Sequence, residues 1–242
     1  MKRLVAIVGP TGIGKSSLAI RLGQKFNGEI INADSRQVYR HMDIGTAKPD
    51  TGELATVPHH LISIINPDGP FSLSQYQQLA EKAIADIHQR GKLPFLVGGS
   101  GLYVWAVLEG WRIPRVPPDP ILRQKLEQKA EKKGALELYG ELSAIDPASA
   151  QKIDPRNVRR VIRALEVIAK TGTAFSQLQS KEPPPFAILV IGLTVDREEL
   201  YRRIDERIDR MIAQGLVKEV EKLKQMGYDF SLTALSSIGY KQ

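Results

Sequence analysis

The sequence predicts an α/β fold in which helices flank a parallel β-sheet and an all-helical insertion interrupts the core. Two observations predict the core. Short apolar segments, typical of strands buried on both faces, alternate with segments of helical spacing, and glycine-rich turns follow two of these strands. A third observation, the change to a purely helical pattern between residues 112 and 185, predicts the insertion.

The core elements follow from apolar spacing and from the residues that end each segment. Short apolar runs bounded by turn residues predict strands at residues 4–8, 29–34, 93–97 and 186–195. Apolar residues at intervals of three and four predict helices at residues 16–26, 72–90, 197–214 and 216–226.

Prolines mark both ends of the insertion, at residues 114–120 and at 183–185. Between them no strand is predicted. Helical spacing predicts four helices, at residues 119–133, 135–145, 147–153 and 156–171. We therefore predict a core domain from residues 1–111 and 186–242 and a helical insertion domain from residues 112–185.

The composition excludes several classes of protein. The chain has 242 residues, of which 42% are hydrophobic and 25% are charged, so it is not a disordered chain. It has no cysteine, which excludes disulfides and cysteine-ligated metal sites. No apolar run is long enough to span a membrane, and the first residues do not form a signal peptide. We therefore expect a cytoplasmic protein without a membrane partner.

The positive charge is concentrated in the insertion. The chain has a net charge of +7, and residues 112–186 hold 14 basic and 9 acidic side chains. A local basic excess is typical of a surface that binds a polyanion such as nucleic acid. It is equally typical of a solvated helical surface.

A glycine-rich turn follows the first predicted strand and fits the P-loop pattern G-x-x-x-x-G-K-[ST] at every fixed position. Its backbone N–H groups and the following helix N-terminus favour an anion, and Lys15 adds a positive charge. Ser16 contacts either a phosphate oxygen or a magnesium ion. The predicted diphosphate- or nucleotide-binding residues are Gly9, Pro10, Thr11, Gly12, Ile13, Gly14, Lys15 and Ser16.

The third predicted strand ends in Gly98-Gly99-Ser100-Gly101 and offers no carboxylate. An enzyme that uses ATP or GTP needs a carboxylate at such a strand end to hold magnesium. A small-molecule or nucleoside kinase therefore remains an alternative only if Asp34 supplies that group. A nucleic-acid-binding module with a regulatory P-loop is a second alternative.

Asp34 follows the second predicted strand, and ligands of such folds bind at the carboxyl ends of the strands. Its carboxylate could accept a proton from an amine or hydroxyl nucleophile. Gln37 could bind a base edge, since its amide both donates and accepts. Ser100, at the next strand end, could bind the same nucleophile.

Six segments carry a family resemblance: GPTGIGKSS (9–17), INADSRQVYRHMDIGTAKP (31–49), VPHHLI (57–62), FLVGGSGLYVWAVLEG (95–110), DPRNVRRVIRALEV (154–167) and SSIGYKQ (236–242). They span nearly the whole chain in the expected order. The sequence resembles bacterial-type tRNA dimethylallyltransferases, also called tRNA isopentenyltransferases, and the resemblance implies a P-loop NTPase-like core.

The resemblance implies a prenyl transfer that modifies tRNA. The dimethylallyl group of dimethylallyl diphosphate passes to N6 of the adenosine next to the anticodon (position 37), and diphosphate leaves. By position, Asp34 is the general base and Ser100, where many relatives have Thr, is a second catalytic residue. Lys15, Ser16 and Arg207 stabilise the leaving diphosphate. For Arg207, a salt bridge on its own helix is an equally weighted alternative.

The resemblance also implies partners and a cofactor. The expected partners are the tRNA anticodon stem-loop and dimethylallyl diphosphate, the expected cofactor is Mg²⁺ held in part by Ser16, and the expected state is a monomer. The segment 156–163 has four arginines and no acidic residue, so we expect an arginine face that binds RNA phosphates. The residues implied to contact tRNA are Asp34, Ser35, Arg36, Gln37, Ser100, Arg123, Arg159, Arg160, Val161, Ile162 and Arg163.

Two points stay open on sequence grounds. Members of the family continue for several dozen residues past the segment 236–242, so we expect a chain shortened at its C-terminus. His59 and His60 are adjacent and isolated from other metal-ligating residues, so they do not predict a zinc site. Their position is compatible with packing in the fold and with lining of the substrate site.

Overall fold

A computed structural model describes residues 2–242. The chain divides into two compact units. The core unit consists of Met1–Glu109 and Pro183–Gln242, and the helical unit consists of Gly110–Glu182. The fold is α/β, as predicted.

The core unit is built on a five-stranded parallel sheet. Its strands are β1 (Arg3–Val8), β2 (Gly28–Asn32), β3 (His59–His60), β4 (Leu93–Val97) and β7 (Ala187–Gly192), and their order across the sheet is β3-β2-β4-β1-β7. The predicted strand at residues 186–195 is therefore shorter than expected. The strand β3 was not predicted, because two residues are too few to show strand alternation.

The core unit has six helices within the described residues: α1 (Lys15–Lys25), α2 (Thr51–Thr56), α3 (Leu73–Gln89), α4 (Gly101–Leu108), α9 (Arg197–Ala213) and α10 (Leu216–Gln225). A short 3₁₀ turn follows at Ala234–Ser236. Two apolar clusters, one containing Leu4 and Ile31 and the other Ile7 and Phe95, are buried beside the sheet. Burial of both faces explains why the inner strands β1 and β4 are continuous apolar runs.

The helical unit contains α5 (Pro120–Lys133), α6 (Ala135–Ile145), α7 (Pro147–Ala150) and α8 (Val158–Thr171) around their own apolar cluster. The expectation that this region has no strand is wrong. A short antiparallel pair, β5 (Trp111–Arg112) with β6 (Ser180–Lys181), joins the two ends of the unit. Each strand has two residues, so sequence periodicity could not indicate it.

A close backbone approach brings the ends of β2 and β4 together. A Cβ atom built on Gly98 would lie 2.2 Å from the backbone of Ala33, so only glycine fits there. The Ser100 amide donates to the Ala33 carbonyl at 3.1 Å. The segment that begins at Asp34 is thereby held beside the turn that carries Ser100.

No described helix is both long and apolar enough to cross a membrane.

Candidate active site

The phosphate loop lies at the carboxyl end of β1 and leads directly into α1. Gly14, the residue before the helix, has φ 97°, a left-handed conformation that glycine adopts without strain. The Lys15 ammonium donates to the carbonyl oxygens of Gly9 (2.9 Å) and Pro10 (2.8 Å). A Cβ atom built on Gly99 would lie 3.8 Å from Lys15 Nζ, so the loop reaches the end of β4.

Arg207 reaches the same place from α9. Ile204, one helical turn earlier, packs over Gly12 of the loop, since a Cβ atom built on Gly12 would lie 3.3 Å from the Ile204 side chain. In the described residues no carboxylate forms an ion pair with Arg207, so the alternative of a salt bridge on its own helix is not what the structure shows.

Three charges converge at this loop. Burial lowers the pKa of Lys15, the negative charge of Asp34 opposes that effect, and the positive charge of Arg207 adds to it. Burial likewise lowers the pKa of the Arg207 guanidinium, again opposed by Asp34. Two partly desolvated cations beside one carboxylate form a positively charged site, which suits an anionic ligand.

Asp34 is held in a tight turn by its neighbours. Its Oδ1 accepts a hydrogen bond from the Arg36 amide (2.8 Å), and its own amide donates to Asn32 Oδ1 (2.9 Å). The Asn32 side-chain amide donates to the carbonyls of Asp34 and Leu61, both at 3.0 Å. Asn32 is buried and fixes this turn. Sequence reasoning missed it, although an asparagine at a strand end is a common turn residue.

Ser100 contacts the segment after Asp34. Its hydroxyl accepts from the Ser35 amide (2.8 Å) and donates to Ser35 Oγ (3.1 Å). Ser100 precedes α4 but does not cap it with its side chain. The hydroxyl therefore serves the neighbouring strand end, and one lone pair stays available for a ligand.

Gln37 is positioned by the loop that follows it. Its amide nitrogen donates to the carbonyls of Thr46 (3.1 Å) and Ala47 (3.0 Å), so its Oε1 is the atom left to bind a ligand.

Two residues near the end of the chain support that loop. The Glu219 carboxylate accepts from the amides of residues 43–45 at 2.8–3.1 Å. The Tyr240 hydroxyl donates to the same carboxylate at 2.7 Å. Both were absent from the sequence-based set of functional residues, because Glu219 and the loop lie 175 positions apart in the chain and local pattern does not show such a contact.

Arg36 binds the chain itself. Its guanidinium donates to the carbonyl of Thr233 and lies 3.4 Å from the Ser236 hydroxyl. The predicted role of Arg36 in tRNA binding stays a prediction, but in this structure its side chain secures the segment around the 3₁₀ turn.

The two histidines of β3 have different environments. His60 Nε2 lies 2.7 Å from Glu29, a buried carboxylate that also pairs with Arg90 and Lys92. Burial alone would raise the pKa of Glu29, but the hydrogen bonds from these three partners outweigh it and hold the pKa at about 2. His59 Nδ1 donates to the Val57 carbonyl at 2.7 Å, and burial lowers the pKa of the ring.

In the helical unit, Glu166 accepts hydrogen bonds from two of the arginines predicted to bind RNA. It is fully buried and accepts from Arg123 (2.7 and 2.8 Å), from Arg163 (2.6 Å) and from the Asp119 amide (2.7 Å). Burial alone would raise its pKa, yet these hydrogen bonds hold it at about 2.

The expected arginine face is therefore only partly free. The segment 156–163 contains no acidic residue, but acidic residues just outside it contact two of its arginines. Arg163 pairs with Glu166, one turn later in the helix, and Arg156 pairs with Asp154. Arg159 and Arg160 are exposed, and no side-chain partner is found for them in residues 2–242.

Val161 and Ile162, predicted as tRNA contacts, have their side chains buried in the apolar cluster of the helical unit. Contact with a ligand at this helix therefore depends on the flanking arginines.

The side chains near the phosphate loop indicate how the expected magnesium ion would be bound. The described residues contain no group of three or more His, Cys, Asp or Glu side chains that could hold a metal. Mg²⁺ commonly keeps several waters and binds through one or two protein groups together with substrate phosphates. The hydroxyl of Ser16, at the start of α1 in the phosphate loop, fits that kind of site.

The comparisons with known proteins agree with one another. A family model described as "IPP transferase" matches residues 37–242. A tRNA dimethylallyltransferase from Roseiflexus sp. (strain RS-1) is 56% identical over 239 residues, which is 99% of this chain and 78% of the relative. The Chloroflexus aggregans tRNA dimethylallyltransferase is 57% identical over 242 residues, 100% of this chain and 82% of the relative.

Solved structures show the same likeness. The tRNA isopentenylpyrophosphate transferase of Bacillus halodurans matches with a TM-score of 0.69 and 45% identity over 100% of this chain and 76% of that chain. A eukaryotic dimethylallyltransferase acting on tRNA matches with a TM-score of 0.80 and 33% identity over 100% of this chain and 62% of that chain. The core is thus P-loop NTPase-like, and the chain belongs to the tRNA dimethylallyltransferase family.

Proposed function

We propose that this protein transfers the dimethylallyl group of dimethylallyl diphosphate to N6 of adenosine 37 in tRNA. One observation carries the proposal beyond family membership. Lys15, Arg207 and Asp34 meet at the phosphate loop, where two cations suit a leaving diphosphate and one carboxylate suits a proton to be removed.

In the proposed reaction, the adenine N6 attacks the allylic carbon, a C–N bond forms, and the bond from that carbon to the diphosphate oxygen breaks. Negative charge grows on the diphosphate, so Lys15, Arg207 and the loop amides stabilise the transition state more than the ground state. The N6 proton passes to Asp34. Diphosphate is the leaving group and takes the electron pair of the broken bond.

The base is oriented by the groups around Asp34. The remaining lone pair of Ser100 Oγ accepts the second N6 hydrogen, and Gln37 Oε1 accepts from a base edge. The target adenosine must leave the base stack to reach this place. Exclusion of water protects the allylic carbon from hydrolysis.

Magnesium, when bound, would neutralise part of the diphosphate charge. Ser16 would hold it on the protein side. Arg159 and Arg160 supply phosphate contacts for the anticodon stem, while Arg123 and Arg163 shape the helical unit through Glu166.

The test incubates the purified protein with labelled dimethylallyl diphosphate and unmodified tRNA. Label that appears in the tRNA supports the proposal, and a tRNA with guanosine at position 37 is the matched control, since it has no N6 amine to accept the group. Turnover of ATP without transfer of label to tRNA would instead establish the kinase alternative.

A further inference from the structure

A small cavity connects the phosphate loop with β3. Its volume is about 20 Å³, and its polar lining consists of Ser16, Asn32, Gln37 and His59. A cavity of at least about 10–15 Å³ holds one water when two to four polar groups face it. The cavity thus has the size and the lining of a single-water site.

His59 presents a lone pair that no group in the described residues 2–242 uses. Its Nδ1 lies 2.7 Å from the Val57 carbonyl, and a carbonyl only accepts, so Nδ1 carries the proton and Nε2 of the neutral ring is an acceptor. Nε2 is buried, and no donor among residues 2–242 lies within hydrogen-bond distance of it. A buried acceptor of this kind requires a donor.

The lining side chains leave one donor. Both hydrogens of the Asn32 amide are committed to the Asp34 and Leu61 carbonyls. Both hydrogens of the Gln37 amide are committed to the loop carbonyls, which leaves its Oε1 as an acceptor. Among the four polar residues that line the cavity, only Ser16 has a side-chain hydrogen that no acceptor in residues 2–242 takes up.

We propose that a water molecule occupies this cavity and that His59 acts through it as a positioning residue for the Ser16 hydroxyl. The water donates to His59 Nε2 and to one lone pair of Gln37 Oε1, and it accepts from Ser16. The second lone pair of Gln37 Oε1 stays available to a base edge. The Ser16 proton then points into the protein, and the Oγ lone pairs face the phosphate side, where they suit a cation rather than a phosphate oxygen. The proposal rests on the proposed function in one respect, the role of Ser16 in holding magnesium at the diphosphate.

Two variants of His59 test the acceptor atom Nε2 apart from the rest of the imidazole ring. His59→Asn keeps a donor near the Nδ1 position for Val57 but places nothing at Nε2. His59→Gln places an amide oxygen where Nε2 lies. The binding of inorganic pyrophosphate with Mg²⁺ is measured by calorimetry. We expect His59→Asn to weaken this binding by about 10-fold or more, because groups that hydrogen-bond to a metal ligand typically contribute at least that much to metal affinity. We expect His59→Gln to bind within about threefold of the wild type.

His60→Asn is the control in the same strand, since it removes the Glu29 contact and leaves the cavity unchanged. It should bind pyrophosphate as the wild type does. Equal affinity of His59→Asn and wild type, or equal losses in His59→Asn and His59→Gln, would overturn the proposal.

A second measurement does not depend on catalysis or on the variants' folding. A high-resolution crystal structure of the wild type should show a water within hydrogen-bond distance of both His59 Nε2 and Ser16 Oγ, and a dry cavity would contradict the proposal. If the wild type transfers no label to tRNA, the proposed function fails. The pyrophosphate titrations and the crystal structure still decide the role of His59.

Discussion

Lys15 is the residue whose loss should affect the chemistry most and the fold least. Its ammonium caps two loop carbonyls and lies at the ligand side of the loop, outside the apolar clusters. We expect Lys15→Ala to reduce the rate of transfer severely while thermal unfolding followed by circular dichroism stays close to wild type. Lys25→Ala, at the far end of the same helix, is the control. Wild-type turnover in Lys15→Ala would remove the loop lysine from the mechanism.

Asp34 is the second residue with a sharply defined test. Asp34→Asn keeps the size of the side chain and its acceptor for the Arg36 amide but no longer accepts a proton readily. We expect kcat to fall by about 10²–10⁴-fold, the range for general acid–base groups, with tRNA affinity little changed. Single-turnover kinetics and filter binding measure the two quantities. A decrease confined to tRNA binding would instead make Asp34 a recognition residue.

At the scale of elements, α8 presents two arginines, Arg159 and Arg160, that have no side-chain partner in residues 2–242, and a third, Arg163, that pairs with Glu166. If Arg159 and Arg160 bind stem phosphates, replacing both with Gln should weaken tRNA binding for all cognate sequences alike. The plot of log K against log salt should flatten by roughly one unit for each phosphate that the variant no longer binds. Affinity for dimethylallyl diphosphate should not change.

Arg156→Gln is the matched control for that experiment, because Arg156 is already paired with Asp154 and its replacement should alter the slope less. Arg163→Gln should act differently again, by lowering stability, since it removes a partner of the buried Glu166. An unchanged slope and affinity in the double variant would place the RNA surface elsewhere.

Glu166 links α5 to α8 and should make the stability of the helical unit depend on pH. Its pKa of about 2 lies below the ordinary value near 4.3, so its stabilisation is fully present above about pH 5 and is lost as the pH falls toward 2. We expect Glu166→Gln to lower the free energy of unfolding at pH 7 by about 3 kcal/mol, the lower end for breaking a buried ion pair.

Urea titrations at pH 7 and pH 3 test this expectation, and the difference between variant and wild type should shrink at the lower pH. Glu141→Gln, which removes only a partly exposed pair with Lys129, should change stability far less. A difference that does not vary with pH would show that Glu166 acts through packing alone.

At the scale of the molecule, the sheet ends at β7, which pairs only with β1 among the described strands. Leu189 and Val190 of this strand are 58% and 46% exposed. An exposed apolar edge strand favours pairing with another chain. We expect a monomer at low concentration, self-association as the concentration rises, and suppression of that association by Leu189→Lys.

Sedimentation velocity over a range of concentrations measures the self-association. The transfer activity of each variant checks that its active site is intact. Arg3→Lys, on the neighbouring strand, is a control that leaves the apolar edge in place. If Leu189→Lys associates as readily as the wild type, the β7 edge does not mediate the association.

The sequence by itself determined the features that depend on contiguous residues. The phosphate loop, the family, the four helices of the helical unit and four of the six core helices were predicted correctly, because a loop motif and helical spacing are encoded by neighbours along the chain. The core helices α2 and α4 were not predicted. Asp34 and Ser100 were also named as site residues from their places at strand ends.

Only the tertiary structure decided which side chains meet. The contact of Ser100 with Ser35 depends on β2 lying beside β4, a strand order that local pattern does not specify. The pairing of Arg123 with Glu166 depends on how α5 packs on α8, and it places a residue expected to contact RNA against a buried carboxylate. The water-sized cavity at His59 is likewise formed by elements far apart in the chain. Side-chain partners across a fold are set by packing, which pairs groups by distance in space and not by distance in sequence.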